Sequence, residues 1–210
     1  MKEGQGSCQR HMEREISGGD SRWIPQVREL YHDAFSRKER MPFSMIQTGA
    51  VPGSELIIYS VKGEFVGFAA VLTQGDLTNI LYFAVVKELR GRGFGSAILV
   101  DLRQRYLGKL LAADIELPDK QTRKYQERLL RKDFFQNHSY QESGAGWHFK
   151  GTNHIVMVHG GNLTRETYWA FWDAFYVSWE KNRSGKVRKM EKCREGEENC
   201  LLAGKQEGRE

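Results

Sequence analysis

Apolar residues recur at two different spacings along this chain, and the spacing changes mark its elements. Trp23, Ile24, Val27, Leu30, Tyr31, Ala34 and Phe35 fall three or four residues apart, which puts them on one helical face. Asp20 or Ser21 is placed to cap that helix, and Pro25 falls in the first turn, where a missing N–H costs nothing. Residues 41–53, with Pro42 and Pro52, read as a loop. The period then shortens. Residues 55–61 and 65–73 are rich in β-branched and aromatic side chains and are joined by the turn Lys62-Gly63-Glu64. After Gln74-Gly75-Asp76, residues 77–86 form a mostly apolar run suited to a central strand covered on both faces. Three successive antiparallel strands are expected. Helical spacing returns with Ile98, Leu99, Leu102, Tyr106, Leu107 and Leu110, followed by a short strand over 111–117 that Pro118 stops. The remaining pattern predicts a helix centred on 125–135, a strand near 139–142, a glycine turn and a strand over 154–159. A last helix runs from Thr164, as N-cap, to about Trp179.

The two ends look different from the middle. Residues 1–20 are polar and glycine-containing, with a short strand at 12–16 at most, and residues beyond 184 are dominated by charge and glycine. One domain over 21–182, a poorly ordered start and a disordered tail over 183–210 are therefore expected. No stretch approaches the roughly 20 apolar residues of a membrane span, and the first residues lack the apolar run of a signal peptide. Cys8, Cys193 and Cys200 all lie in the polar ends and cannot staple a core. A soluble cytoplasmic protein without a membrane association is expected. The net charge of +5 is spread along the chain with opposite charges interleaved, so no nucleic-acid partner is expected from it.

The clearest chemistry lies over 81–102. An apolar strand ends in Lys87-Glu88-Leu89, passes through Arg90-Gly91-Arg92-Gly93-Phe94-Gly95 and enters an amphipathic helix. Alternating glycines let successive backbone N–H groups turn toward one point, because no Cβ blocks the approach. The start of the helix adds unpaired donors and partial positive charge. The product is an anion site built largely from backbone. A nucleoside-triphosphate loop would end in Gly-Lys-Ser/Thr, whereas Gly95 is followed by Ser96-Ala97. A dinucleotide fingerprint would need glycine or alanine at position 96 or 98, which hold Ser96 and Ile98.

The run does fit Arg/Gln-x-x-Gly-x-Gly/Ala, and with it the chain resembles the GNAT superfamily of acyl-CoA-dependent N-acyltransferases. Tyr82-Phe83-Ala84-Val85-Val86 looks like that family's strand end, and residues 96–102 like the helix that receives the coenzyme pyrophosphate. The resemblance covers about 23–158. It implies a single α/β (α+β) domain: a central mixed, mostly antiparallel sheet flanked by helices, with a V-shaped splay between central strands. It also implies acetyl-CoA as co-substrate, no metal, and an acceptor that is a small-molecule amine or a protein or peptide amine. By the same resemblance Phe83, Ala84, Val85, Arg90, Gly91, Arg92, Gly93, Phe94, Gly95, Ser96 and Phe135 would contact the coenzyme.

Residues 134–140 resemble the Phe-Tyr-x-x-x-Gly-Phe element of small bacterial members, with two departures. Phe135 stands where the family's frequent general acid is tyrosine, and Ser139 where it has glycine. Either the thiolate leaves without side-chain protonation or another hydroxyl substitutes, Tyr140 and Tyr125 being nearest in sequence; Tyr140 is the candidate. Asp114 and Glu116 alternate on one strand and so face one side of the sheet. Glu116 resembles the family's acidic residue at that strand end and is the candidate base, with pairing to Arg123 or Arg128 as the competing structural role. An acetyl transfer enzyme and a coenzyme-binding module that has lost catalysis both remain open.

Three further patterns have ordinary readings. The stripe Tyr168, Phe171, Trp172, Phe175, Tyr176 and Trp179 reads as core, or else as a homodimer contact or an aromatic wall for the substrate. His138, His148, His154 and His159 lack metal-ligand spacing. Arg123-Lys124, Arg128 and Arg131-Lys132 read as a solvated helix face, one member of which could meet the coenzyme's 3′-phosphate.

Overall fold

The structure is a computed structural model and describes residues 12–17, 19–149, 151–182 and 191–192. The cysteines, most of the expected disordered tail and the first eleven residues lie outside the described residues. In chain order the elements are β1 (Glu13–Ile16), α1 (Ile24–Ala34), β2 (Ser54–Val61), β3 (Glu64–Gln74), β4 (Leu77–Val85), α2 (Phe94–Arg105), β5 (Leu110–Glu116), α3 (Tyr125–Gln136), β6 (Gln141–Phe149), β7 (Thr152–His159), α4 (Arg165–Asn182) and the two-residue β8 (Glu191–Lys192). They build one sheet in the order β1-β2-β3-β4-β5-β7-β6-β8, in which only β4 and β5 run parallel. This is the mixed, mostly antiparallel sheet flanked by helices that the family resemblance implies.

Alternation along the strands divides the core into two layers. Ile57, Tyr59, Ile80, Leu111, Ala113 and Ile115 face α2 and α3, which contribute Phe94, Ile98, Leu99, Leu102 and Phe135. Leu56, Ile58, Phe68, Leu72, Ala112, Val156 and Val158 face α1 and α4. The aromatic stripe of α4 is core: Tyr168, Phe171, Trp172, Phe175 and Tyr176 are all buried, while for Trp179 only the backbone is described.

The feature that matters for function is where β4 and β5 part. They pair over Leu77–Ile80 and 110–113 and no further. At that point β4 carries a bulge. Ile80 lies opposite Val71 and Tyr82 opposite Ala70, so Leu81 is the extra residue. A bulge bends its strand and increases its twist. Leu81 and Tyr82 consequently both turn toward α1, and β5 swings away to pair with β7, Asp114 opposite Val156 and Glu116 opposite His154. A V opens between 81–85 and 114–116.

Local differences from the sequence pattern have local causes. α2 stops at Arg105 rather than running to Leu110, because Gly108 turns the chain with φ 85; Leu107 is 87% exposed and Leu110 begins β5. β6 passes straight through the expected glycine turn. Gly144, at φ 79, absorbs a bulge between Glu142 and Gly146, and the chain reverses at Gly151. α1 begins at Ile24 with no side-chain cap, the Ser21 hydroxyl accepting from Trp23 N–H one turn earlier. The expected cap at the other helix is present: Thr164 Oγ1 accepts from Thr167 N–H. Residues 12–16 supply the edge strand β1, so the sheet begins before residue 21.

Candidate functional site

Each glycine of the loop has its own job. Gly91 (φ 71) and Gly93 (φ 84) hold the left-handed region, where side chains are disfavoured, and only open space lies where their Cβ atoms would point. Gly93 is the N-cap of α2, and no side chain caps that end. Gly95 is already helical and serves packing instead. A Cβ there would come 3.3 Å from the Phe134 ring and 3.6 Å from that of Phe83. Arg90 folds back, its Nε donating to Val85 O at 3.0 Å, which ties the loop to the end of β4. Phe94 is buried among α2 side chains, so only its backbone faces the loop. Arg92 is exposed, Ser96 half-buried, and Ala84 and Val85 buried. The result is a concave stretch of backbone at a helix N-terminus, which suits a phosphate.

A cavity of about 290 Å³ lies on the α1/α4 face of the V. β4 contributes Leu81 and Tyr82, β5 Asp114 and Glu116, β6 Trp147 and Phe149, β7 His154, and α4 Trp172 and Tyr176. Arg131 of α3 and, at and just after the end of α1, Phe35 and residues 38–42 complete the lining. That segment is pinned by tyrosines: Tyr82 Oη donates to Glu39 O and accepts from Met41 N–H, and Tyr31 Oη donates to Met41 O. Burial raises the pKa of Tyr82, so it stays a neutral donor.

The two acidic residues of β5 share this face, as alternation predicts, but differ in commitment. Asp114 accepts from Tyr168 Oη at 2.6 Å and from Asn79 Nδ2 at 3.1 Å, one bond to each oxygen. Burial raises its pKa against the pull of those donors. It ties β5 to β4 and α4. Glu116 accepts from Arg128 Nε at 2.8 Å in a largely buried ion pair, so the arginine that competes for its role is present in the structure. Glu39, a residue the sequence pattern did not single out, lines the same cavity as Glu116 and accepts from Ser36 N–H at 2.8 Å. Burial pushes the pKa of Glu39 up, but hydrogen bonds from Ser36, with the charge of Lys124 adding to them, outweigh it and hold the group low.

His154 stacks on Trp147, ring centroids 4.0 Å apart and planes 7° from parallel, and its pKa is pushed down to about 4 by burial. The neutral ring is therefore the folded form. Because this pKa lies below the ordinary value near 6.5, its contribution to stability is full above about pH 6.5 and lost as pH falls toward 4. Melting temperature should drop over that window by more in the wild type than in His154→Phe, which keeps the stack without the proton.

Tyr140 lies elsewhere. It is buried in the α2/α3 layer against Phe135, and its hydroxyl has no hydrogen-bond partner among the described residues. Phe135 is buried beside it, and Tyr125 is half-buried at the start of α3. None of the three lines the cavity. Ser139 adopts φ 64, a glycine-like conformation at the very position where the resembling element has glycine. Of the basic run on α3, Arg128, Arg131 and Lys132 are engaged with Glu116, Glu127 and Glu142.

The sequence model of the Acetyltransferase (GNAT) family matches residues 24–131, just over half of the chain. The chain belongs to that family. Its members use acetyl-CoA as co-substrate. No curated protein matches the sequence. Among solved structures, a GNAT-family protein from Bacteroides thetaiotaomicron superposes with a TM-score of 0.64 at 17% identity, covering 80% of this chain and 98% of its own. An aminoglycoside 6'-N-acetyltransferase complexed with coenzyme A gives 0.54 at 14% identity, covering 70% and 96%. A GNAT acetyltransferase from Elizabethkingia anophelis with acetyl-CoA bound gives 0.51 at 12%, covering 71% and 98%. At these identities the likeness is one of fold. Among the described residues no helix is long and apolar enough to cross a membrane.

Proposed function

We propose that this GNAT protein transfers an acetyl group from acetyl-CoA to a primary amine, by direct attack within a ternary complex. The observation that carries the reading is the junction at the V. A backbone anion cradle follows one arm, and a carboxylate-bearing cavity opens beside the same strand. The residues fit the co-substrate. The first-turn amides of α2 with Gly91 and Gly93 suit its pyrophosphate. Among the described residues no strand flanks β4 on its β5 side beyond Ile80, so residues 81–85 offer backbone pairing to the pantetheine amides, much as to an added strand.

Bound, acetyl-CoA supplies a thioester carbonyl open to attack by nitrogen. The protein's part is to hold and deprotonate the amine. Glu116, fixed by Arg128 at the cavity wall, is the group for that proton. The amine nitrogen gains the acetyl carbon as the carbon–sulfur bond breaks, and the carboxylate carries the displaced proton away. A free thiol has a pKa near about 8.5, so its thiolate leaves without a side-chain acid. Neither Phe135 nor the core-buried Tyr140 is required for this route.

Release of thiol from acetyl-CoA, assayed across a panel of primary amines, tests the proposal: acceptor-dependent release supports it. Phe135, buried and without a hydroxyl, favours a second reading, a coenzyme-binding module without turnover. That module would bind acetyl-CoA and release no thiol with any amine.

A further inference from the structure

The acceptor cavity is specific enough in its chemistry to name a class of amine, an inference that rests on the acetyl-transfer reading. Its size comes first. At about 290 Å³ it lies at the lower end of small-molecule pockets, which run roughly 300–1,000 Å³. A compact acceptor fits better than a peptide or a multi-ring sugar.

Its walls come second. Phe35, Trp147, Phe149, Trp172 and Tyr176 line it with aromatic side chains, and Leu81 adds an aliphatic patch. Trp147 is held rigid by its stack on His154, and Trp172 by edge contacts with Tyr168 and Phe175. A fixed aromatic lining offers few hydrogen bonds to a polyhydroxylated body, and burying unpaired hydroxyls there is costly.

The charges come third, and they are unequal in availability. Asp114 spends both oxygens on Tyr168 and Asn79. Glu39 and Glu116 also line the cavity, one on the pinned segment after α1 and one on β5, and each has one oxygen engaged, by Ser36 N–H and by Arg128 Nε. The cavity also meets three cations, Lys38, Arg40 and Arg131. One ammonium can sit between Glu39 and Glu116; a second or third on the same molecule would meet like charge, which costs affinity.

We propose that the acceptor is a small monoamine with an apolar, preferably aromatic body, its ammonium docked at the Glu39–Glu116 pair and its body held between the aromatic side chains of β6 and α4. Glu39 is then a substrate-binding residue that reads the ammonium, and the rings read the body, with cation–π contact adding to the carboxylate attraction.

The test is steady-state thiol release with 2-phenylethylamine, spermidine and kanamycin as acceptors, on the wild type, Glu39→Gln and Phe149→Leu. Gln keeps an acceptor for the Ser36 N–H that now donates to Glu39. The expected result is a kcat/KM for 2-phenylethylamine at least about tenfold above the other two, a tenfold step being the order of one well-placed charge contact. Glu39→Gln should raise the 2-phenylethylamine KM by about tenfold and leave the acetyl-CoA KM unchanged. Phe149→Leu should raise it less. Preference for spermidine or kanamycin, or an unchanged amine KM in Glu39→Gln, overturns the proposal. Binding of acetyl-CoA with no turnover of 2-phenylethylamine overturns it too. Absence of acetyl-CoA binding altogether would instead bring down the acetyl-transfer reading, and this inference with it.

Discussion

Glu116→Gln should lower kcat by roughly two to three orders of magnitude, the usual worth of a positioned general base, while leaving acetyl-CoA binding intact. The substitution is chosen because of Arg128. Glu116 accepts from Arg128 Nε in a pair whose side chains are 12% and 11% exposed, and removing the acceptor outright would strand a largely buried guanidinium. Glutamine retains a carbonyl oxygen for that donor and loses only the basic site. The control is Arg128→Gln, which disturbs the pair from its other side. If the sole job of Glu116 were to hold Arg128, both variants would lose melting temperature and both would keep their rate. As the base, Glu116 should cost the rate far more when it is changed than Arg128 does, because Arg128→Gln keeps the base and loses only the partner that fixes it, a difference that single-turnover measurement with saturating acetyl-CoA would show.

Gly93→Val should weaken acetyl-CoA binding by about tenfold to a hundredfold, because a left-handed residue with a β-branched side chain costs on the order of 1–2 kcal/mol or more. The loop can relieve the strain only by leaving its conformation, and the cradle goes with it. Gly63 separates this effect from general destabilisation. It sits in the β2–β3 hairpin, outside the glycine loop, at φ 76 and also with open space beyond it. Gly63→Val should lose comparable stability and keep its affinity for acetyl-CoA.

These two predictions concern parts of the site that the sequence exposes to different degrees. The glycine loop is legible because its chemistry is local: alternating glycines, a strand before and a helix after lie within one continuous stretch, 81–102. The same holds for the shared face of Asp114 and Glu116, which follows from strand alternation alone. The cavity is different. Its lining comes from α1's exit, β4, β5, α3, β6, β7 and α4, so no window of sequence contains it. Glu39 is part of the run Arg37-Lys38-Glu39-Arg40, which has the composition of a solvated turn, and nothing local shows that Tyr82 will fasten it over the sheet. Tyr82 itself reads as one more apolar position of a central strand.

The bulge at Leu81 is hidden for a related reason. A continuous apolar run gives no sign of where alternation slips by one residue, yet that slip separates β4 from β5 and opens the V. Tyr140 is a case in which closeness in sequence is kept in space. It is near Phe135 in sequence and touches it in space, but both belong to the layer under α2 and α3, where a hydroxyl meets no partner among the described residues.

The central claim is that the backbone from Arg90 to Ser96 and the arm of β4 before it bind acetyl-CoA. Calorimetric titration of the full chain with acetyl-CoA tests it most directly. The account predicts a saturable, one-to-one binding isotherm in the wild type that is retained in Gly63→Val and weakened in Gly93→Val. A flat trace with millimolar acetyl-CoA on folded wild-type protein would contradict it.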